Sequence, residues 1–233
     1  MTKAHGKKKS YVIMFFRVKE AGVPVELIEL QDPIVNVAWE PIGERISIVH
    51  GDAKNSTINF YSMLNIGPKN VIKKELTLLH TLTATPCSEV TWSPAGGLCA
   101  IAHFVPGDCC SFNLYDVDST VSLATRRHDR CNGLYWDPSG RMIVSVTTSQ
   151  MVNGNIIRAA PLQVEDSFNI WSFQGTPLCV VRKEKMYKFT WRPRPNNFLT
   201  IEERKNVIKN LKKYEKIFEK KDKIRKAEIY HVV

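Results

Sequence analysis

A Trp-x-Pro motif that recurs four times constrains the fold of this 233-residue chain more than any other feature. Its tryptophans are separated by 53, 44 and 55 residues, and a period of about 40–50 residues is typical of β-propeller blades. In the first three copies a Gly stands two residues after the Pro. The repeated residues are Trp39, Trp92, Trp136 and Trp191, Pro41, Pro94 and Pro138, and Gly43, Gly96 and Gly140.

The local chemistry of the motif predicts a strand, a tight turn and a second strand. The first strand ends on the Trp, and the Pro fixes φ near about −65° at the second position of a β-turn. The Gly then supplies a positive φ, after which an apolar strand resumes. This pattern is typical of the central hairpin of a blade.

A second motif follows in the first three copies, with an Asn two residues before an aromatic side chain. The Asn residues are Asn59, Asn113 and Asn169, and Tyr115 and Asp116 take the place of the Trp-Asp pair that closes a WD-type repeat. Each unit is thus expected to supply three strands before the next unit begins. The first strands of successive units are expected near 25–31, 77–82, 120–125 and 177–182.

We therefore expect a mainly β, partial WD40-like β-propeller of about three full blades plus partial ones, followed by a long C-terminal α-helix. The run 11–18 matches the last strand of a blade, and 149–166 is expected to be a loop insertion. Because propellers typically close with about four to eight blades, three blades leave sheet faces and edges exposed. The repeats are expected to form the C-terminal part of a larger propeller, or to be completed by a partner.

The net charge of +10 is concentrated at the C-terminal end of the chain. Residues 1–181 contain 16 basic and 16 acidic side chains, whereas residues 182–233 contain 17 basic and 7 acidic ones. A neutral body with a basic tail indicates a nucleic acid or an acidic protein surface as partner, with a solvated helix as the alternative. The expected organisation is a basic N-terminal segment at 1–10, propeller blades at 11–195, and a basic amphipathic helix with a short tail at 196–233.

The segment 200–226 is predicted to be one continuous helix. Thr200 and Glu203 fit a capping box, and neither Pro nor Gly interrupts the segment. An apolar stripe along one face favours docking in a groove of another protein. Packing on the chain's own propeller, and a membrane-surface or RNA-binding helix, are the alternatives. The expected partner-docking residues are Val207, Leu211, Tyr214, Ile217 and Phe218.

The sequence contains no motif for catalysis, a cofactor or a metal. It lacks a GxxxxGK[ST] phosphate loop, a GxSxG nucleophile elbow and any CxxC pair, so we expect no enzyme and no cofactor. The six cysteines are expected to be reduced and mostly buried, and no apolar run reaches the roughly 20 residues of a membrane span. Basic side chains can neutralise phosphates, with solvated surface as the alternative. The candidate RNA contacts are Arg192, Arg194, Lys212, Lys213, Lys220 and Lys221, together with Lys7, Lys8 and Lys9.

Several segments in order resemble the C-terminal region of the b-subunit of eukaryotic translation initiation factor 3. WSFQG at 171–175, WRPRP at 191–195 and LKKYEKIFEKKDKI at 211–224 carry the resemblance. The runs at 15–30 and 37–51 are similar to the blades that come before them in that family.

The resemblance implies a non-catalytic, cytoplasmic scaffold subunit that supports assembly of the translation preinitiation complex on the small ribosomal subunit. It implies that the helix docks on the i-subunit, itself a WD-repeat propeller, in a module with the g- and a-subunits, with RNA as a further contact and no membrane. The family's RNA-recognition domain, several blades and its charged C-terminal extension are not in this sequence, and the 149–166 loop departs from its pattern. The alternatives are an unrelated WD-repeat interaction scaffold and a basic-tailed RNA-binding protein.

Overall fold

A computed structural model of the chain describes residues 10–66, 72–152, 155–157, 166–193 and 199–230. The chain divides into two units, Met1–Arg192 and Pro193–Val233. Strands form the first unit and helices form the second. The mainly β character predicted from the repeat is therefore confirmed.

The first unit begins with a two-stranded antiparallel pair and continues with three four-stranded antiparallel sheets. The pair consists of β1 (Tyr11–Phe16) and β2 (Val25–Leu30). Sheet I contains β3 (Ile34–Trp39), β4 (Arg45–Asp52), β5 (Asn55–Ser62) and β8 (Thr77–Thr85). Between β5 and β8 the chain forms a separate antiparallel pair, β6 (Asn65–Ile66) and β7 (Ile72–Lys73). Sheet II contains β9 (Glu89–Trp92), β10 (Leu98–Val105), β11 (Cys109–Asp116) and β12 (Val121–Asp129). Sheet III contains β13 (Gly133–Trp136), β14 (Met142–Thr147), β17 (Asp166–Ser172) and β18 (Pro177–Lys183).

The outermost strand of each sheet belongs to a different unit from the one predicted. The strands β8, β12 and β18 lie near the predicted positions, but each pairs with the aromatic-ended strand before it, β5, β11 and β17 respectively. They therefore complete the preceding sheet and do not open the next one. The pairing of β1 with β2 follows the same rule, because β1 matches an aromatic-ended strand and β2 an outer strand.

Hydrophobic packing between successive sheets forms the core. The middle strands β4, β10 and β14 each contain four consecutive buried residues, because both faces of each strand are covered. Phe60 lies between sheets I and II, and Phe112 lies between sheets II and III. Burying a side chain of this size contributes about 2–3 kcal/mol. Five cysteines are buried free thiols and Cys179 is exposed, as the sequence predicted.

The predicted turn forms in two of the three complete motifs. The Gly96 N–H donates to the Ser93 carbonyl and the Gly140 N–H to the Asp137 carbonyl, both at 2.9 Å, with φ of 76° and 68° at the two glycines. Gly43 does not have a positive φ, so the prediction for this position was wrong. A Cβ at Gly43 would instead lie 1.7 Å from Glu40 Oε2, so the close approach of that carboxylate requires the glycine.

Two predictions for the end of the first unit need correction. Residues 184–193 contain no strand, so Trp191 does not end one. The insertion at 149–166 is not entirely loop, because β15 (Gln150–Val152) and β16 (Asn155–Ile157) form a short antiparallel pair within it. Its last residue, Asp166, already belongs to β17.

The predicted continuous helix is interrupted. It consists of α1 (Ile201–Lys209) and α2 (Leu211–Tyr230), which meet at Asn210. The capping box of Thr200 and Glu203 is present at the start of α1. The Asn210 carbonyl accepts from the N–H groups of Lys213 and Tyr214, and its side-chain amide donates to the Asn206 carbonyl. Asn210 thus ends one helix and begins the next.

Candidate partner-binding surfaces

Each of the last three repeat tryptophans donates its indole N–H to the preceding repeat. The acceptor is always the backbone carbonyl of the residue directly before the preceding Trp. The same hydrogen bond therefore joins the repeats at three successive positions. The bonds run from Trp92 to Ala38 (3.1 Å), from Trp136 to Thr91 (3.0 Å) and from Trp191 to Tyr135 (3.0 Å).

A charged cluster also joins sheets I and II. Arg45 donates to both carboxylate oxygens of Glu40 and pairs with Asp118 of the neighbouring sheet. Glu40 is buried and also accepts the Gly97 N–H at 2.7 Å. Burial raises the pKa of Glu40, but the hydrogen bonds from Arg45 and Gly97 more than offset it and hold the pKa below its ordinary value. The Asp116-x-Asp118 pair thus has the structural role expected from its place in the repeat, with Asp116 Oδ1 accepting from the Asp118 N–H.

A buried polar network at the junction of sheets II and III was not predicted. His128 Nδ1 lies 2.9 Å from Ser145 Oγ, and its Nε2 lies 3.0 Å from Ser167 Oγ. The Trp171 indole donates to the same Ser145 hydroxyl at 2.9 Å. The sequence shows His128 beside Asp129 only, because its partners lie 17 and 39 residues away. These hydrogen bonds connect β12 of sheet II with β14 and β17 of sheet III.

An apolar surface is exposed at the beginning of the first unit. In β1 alternate side chains are exposed, and the exposed side chains of β2 lie opposite them in register. The other face of this pair packs on sheet I through Phe15, Ile28 and Leu30. Trp39 is 53% exposed, whereas Trp92 and Trp136 are buried. An exposed sheet face was expected from the number of blades, and its apolar residues are Val12, Met14, Phe16, Val25 and Leu27.

The predicted docking residues are distributed over both helices of the second unit. Val207 lies on α1, whereas the other four lie on α2, so the predicted stripe crosses the interruption at Asn210. Leu211, Ile217 and Phe218 are exposed, and Val207 and Tyr214 are half-buried. An exposed apolar stripe on a helix is the arrangement that groove binding requires.

The predicted RNA contacts are distributed over both units. Arg192 belongs to the first unit, whereas Lys212, Lys213, Lys220 and Lys221 are exposed on α2. Lys221 Nζ lies 5.6 Å from the centre of the Phe218 ring. Arg194 and the lysines at 7–9 lie outside the described residues.

In the described part of the chain, His, Cys, Asp and Glu side chains form no group of three or more that could hold a metal ion. None of the described helical residues forms a segment long and apolar enough to cross a membrane.

Comparison with known proteins identifies the family. The family model described as "Eukaryotic translation initiation factor eIF2A" matches residues 1–189, which is most of the chain. The chain belongs to the eIF2A family. In this eIF2A-family protein the matched residues include every strand described above, because the last of them, β18, ends at Lys183.

The curated relatives of this eIF2A-family chain confirm the resemblance found in its sequence. The b-subunit of eukaryotic translation initiation factor 3 from Aedes aegypti is 33% identical over 92% of the chain, and that from Dictyostelium discoideum is 34% identical over 93%. The corresponding protein of Bombyx mori is 34% identical over 93% of the chain. The chain spans only 28%, 30% and 29% of the length of these three relatives.

A solved structure supports the fold of this eIF2A-family member. The structure described as "Crystal structure of the eukaryotic initiation factor" superposes with a TM-score of 0.56. The superposition covers 71% of this chain and 36% of the matched chain, at 20% sequence identity, so it supports the fold alone. Family membership argues against an unrelated WD-repeat scaffold.

Proposed function

We propose that this chain is a non-catalytic scaffold subunit of the eukaryotic translation initiation factor 3 complex. In this role it supports assembly of the translation preinitiation complex on the small ribosomal subunit. The observation that carries the proposal is the similarity to the b-subunit over 92–93% of the chain. Because the chain spans less than a third of those relatives, the proposal assigns it the scaffold role of this region only.

The apolar stripe of the second unit is proposed to dock partner proteins of the complex. Leu211 and Phe218 are 60% and 58% exposed, and apolar side chains exposed along a helix are typical of helices that bind in a groove of another protein. The proposed partners are the i-subunit, a WD-repeat propeller, with the g- and a-subunits in the same module. Lysines beside the stripe would form its polar rim, as is typical of protein interfaces.

The proposal also assigns the chain no catalytic role and a cytoplasmic location. Two buried polar groups at the sheet junctions support the first part, because both are used in contacts between sheets. Glu40 binds Arg45 and Gly97, and His128 binds Ser145 and Ser167. The second part follows from the place where translation initiation occurs.

Copurification tests the proposal. The full chain, tagged and expressed in its own cells, is expected to bring down the other proteins of initiation factor 3 and small ribosomal subunits. The double variant Tyr214→Ala, Phe218→Ala is expected to lose the i-subunit by at least about tenfold, since apolar anchors dominate such interfaces. The control is Leu199→Ala, Ile201→Ala, which removes two exposed apolar side chains outside the predicted stripe. Absence of all the other factor proteins from the wild-type sample would refute the proposal, and equal losses in both variants would refute the docking surface.

A further inference from the structure

The segment 182–192, named the strap here, runs from the end of β18 across the last sheet. Two hydrogen bonds hold the backbone of the strap at Met186. The Met186 N–H donates to the Asp166 carboxylate, and the Met186 carbonyl accepts from the Ser149 N–H at 2.9 Å. Near its end, the Trp191 indole donates to the Tyr135 carbonyl at 3.0 Å. The strap is therefore held in place although it contains no strand after Lys183.

Aromatic packing adds a further attachment. The Phe189 ring lies 5.3 Å from the rings of both Phe168 and Trp191, and it stacks on Tyr135 at 6.4 Å. Met186, Phe189 and Trp191 are half-buried. These three side chains face the sheet and leave the residues between them in solvent.

The residues left in solvent are mainly cations. The strap contains five basic side chains and one acidic one, Glu184, so its net charge is +4. All five are exposed, and none has a hydrogen bond or ion pair with another described side chain. The rest of the first unit, residues 1–181, has no net charge. The five cations are Arg182, Lys183, Lys185, Lys188 and Arg192.

The fold does not require cations at this position. The outer strand of sheet I, β8, contains no Lys or Arg. In the outer strand of sheet II, Arg126 donates to the Gly175 carbonyl at 2.6 Å and Arg127 pairs with Asp108 and Asp129. Among the outer strands of the three sheets, only that of sheet III, with its continuation, presents cations without such partners in the described residues. Their charge is thus available to a ligand.

Tyr187 indicates the chemistry of that ligand. It lies between Lys185 and Lys188, is 50% exposed, and its ring contacts no other aromatic ring among the described residues. Cations that follow a backbone, combined with an exposed aromatic ring on which a base can stack, are typical of surfaces that bind single-stranded nucleic acid. An acidic protein would use the cations but has no need of the ring.

We propose that the strap binds single-stranded RNA, with its lysines and arginines on phosphates and Tyr187 stacked on a base. Because the strap is fixed to the sheet, little conformational entropy is lost when RNA binds. The contacts read no base edges, so the binding is independent of sequence. The proposal rests on the proposed function, since a factor working on the small ribosomal subunit acts next to RNA.

The test measures binding of the full chain to a fluorescent oligouridine by anisotropy over a range of salt concentrations. The triple variant Lys183→Gln, Lys185→Gln, Lys188→Gln is expected to bind at least about tenfold more weakly at low salt. Its slope of log K against log salt is expected to fall by about 2, since each phosphate contact to a single strand contributes about 0.7. Tyr187→Leu is expected to bind about tenfold more weakly, whereas Tyr187→Phe keeps the ring and binds as the wild type does.

The matched control removes the same charge from exposed cations elsewhere in the first unit, by Lys19→Gln, Lys54→Gln, Arg141→Gln. It is expected to leave the slope within about 0.5 of the wild-type value. Equal losses in the two triple variants, a Tyr187→Leu variant that binds as tightly as the wild type, or no binding by the wild type would each overturn the proposal. Urea unfolding of each variant separates a loss of binding from a loss of fold.

Failure of this proposal is distinguishable from failure of the proposed function. Copurification with initiation factor proteins but no dependence of RNA binding on the strap overturns the strap proposal alone. Strap-dependent RNA binding without copurification overturns the proposed function and leaves the RNA surface supported.

Discussion

The indole N–H of Trp136 donates to the backbone carbonyl of Thr91 across the junction of sheets II and III. Trp136 is 7% exposed, so the loss of this bond would leave the carbonyl without its partner inside the protein. The same relationship joins sheets I and II through Trp92 and Ala38, and it joins the segment around Trp191 to sheet III through Tyr135.

Trp136→Phe tests the energetic value of this connection. The change removes the N–H donor and part of the ring, and we expect the free energy of unfolding to fall by about 2 kcal/mol. Trp39→Phe is the control, because Trp39 is 53% exposed and is expected to change stability by less than about 0.5 kcal/mol. Urea unfolding followed by circular dichroism measures both. Similar values for the two variants would contradict the assigned role of the junction.

Gly140→Ala separates steric conflict from backbone strain. Gly140 has a φ of 68°, and a Cβ there would lie 2.4 Å from Ser93 Oγ and 2.8 Å from the Ala95 Cβ of the neighbouring sheet. Gly22 has a φ of 77° but open space around its Cβ position. We expect thermal unfolding to show a loss of about 1 kcal/mol for Gly22→Ala, from strain alone, and about 3 kcal/mol for Gly140→Ala. Equal losses would mean that the sheets do not approach as closely as described.

Ser145→Ala tests the buried network of His128. Both His128 and the Trp171 indole lose a partner inside the protein, so we expect a loss of about 2–3 kcal/mol in urea unfolding. Ser47→Ala is the matched control: Ser47 is also fully buried and accepts from a Trp, but the Trp92 indole has the Ala38 carbonyl as a second acceptor. Ser47→Ala is expected to lower the free energy of unfolding by about 1 kcal/mol. A larger loss for Ser47→Ala than for Ser145→Ala would contradict the network.

Glu40 makes the stability of the first unit depend on pH. Its pKa in the folded chain is held below the ordinary value of 4.5, with burial opposing and the Arg45 and Gly97 hydrogen bonds producing the decrease. A carboxyl whose folded pKa is lowered contributes stability above pH 4.5, and this contribution is lost as the pH falls through the folded pKa.

Glu40→Gln should therefore flatten this dependence. We expect the variant to be about 2 kcal/mol less stable near neutral pH and to lose less stability than the wild type when the pH falls below about 4.5. Unfolding by urea at a series of pH values measures the difference. Glu29→Gln removes an exposed carboxylate and is expected to keep the wild-type profile. If the stability of the Glu40 variant fell with pH as steeply as that of the wild type, the Glu40–Arg45 cluster would be excluded as the source of the pH dependence.

Much of the first unit could be predicted because its pattern is local. Three predicted strands end on Trp39, Trp92 and Trp136, as the change from apolar alternation to Pro indicates. The turn at Gly140 follows from the two or three residues that form it. The capping box at Thr200 is equally local, since both partners lie within one helical turn.

The predictions that were wrong involve contacts that no local pattern records. The sequence placed each outer strand at the start of a new unit, because the repeat is read in chain order. Backbone pairing joins it instead to the strand before it, as the register of β5 with β8 shows. The interruption at Asn210 was missed for another reason: its backbone leaves the helical conformation, with φ of −102° and ψ of 17°, although the apolar period continues.

The amino-acid sequence by itself determined the repeat, the ends of its strands, the basic C-terminal region and the family, because all of these are properties of residue order. Only the tertiary structure decided what each repeated side chain contacts. The carbonyl that accepts from Trp136 lies 45 residues away, and the partner of Arg45 on the next sheet, Asp118, lies 73 residues away. Such contacts depend on how closely the sheets pack. For the same reason only the structure distinguishes the cations of β12, which are paired, from those of the strap, which have no such partner in the described part of the chain.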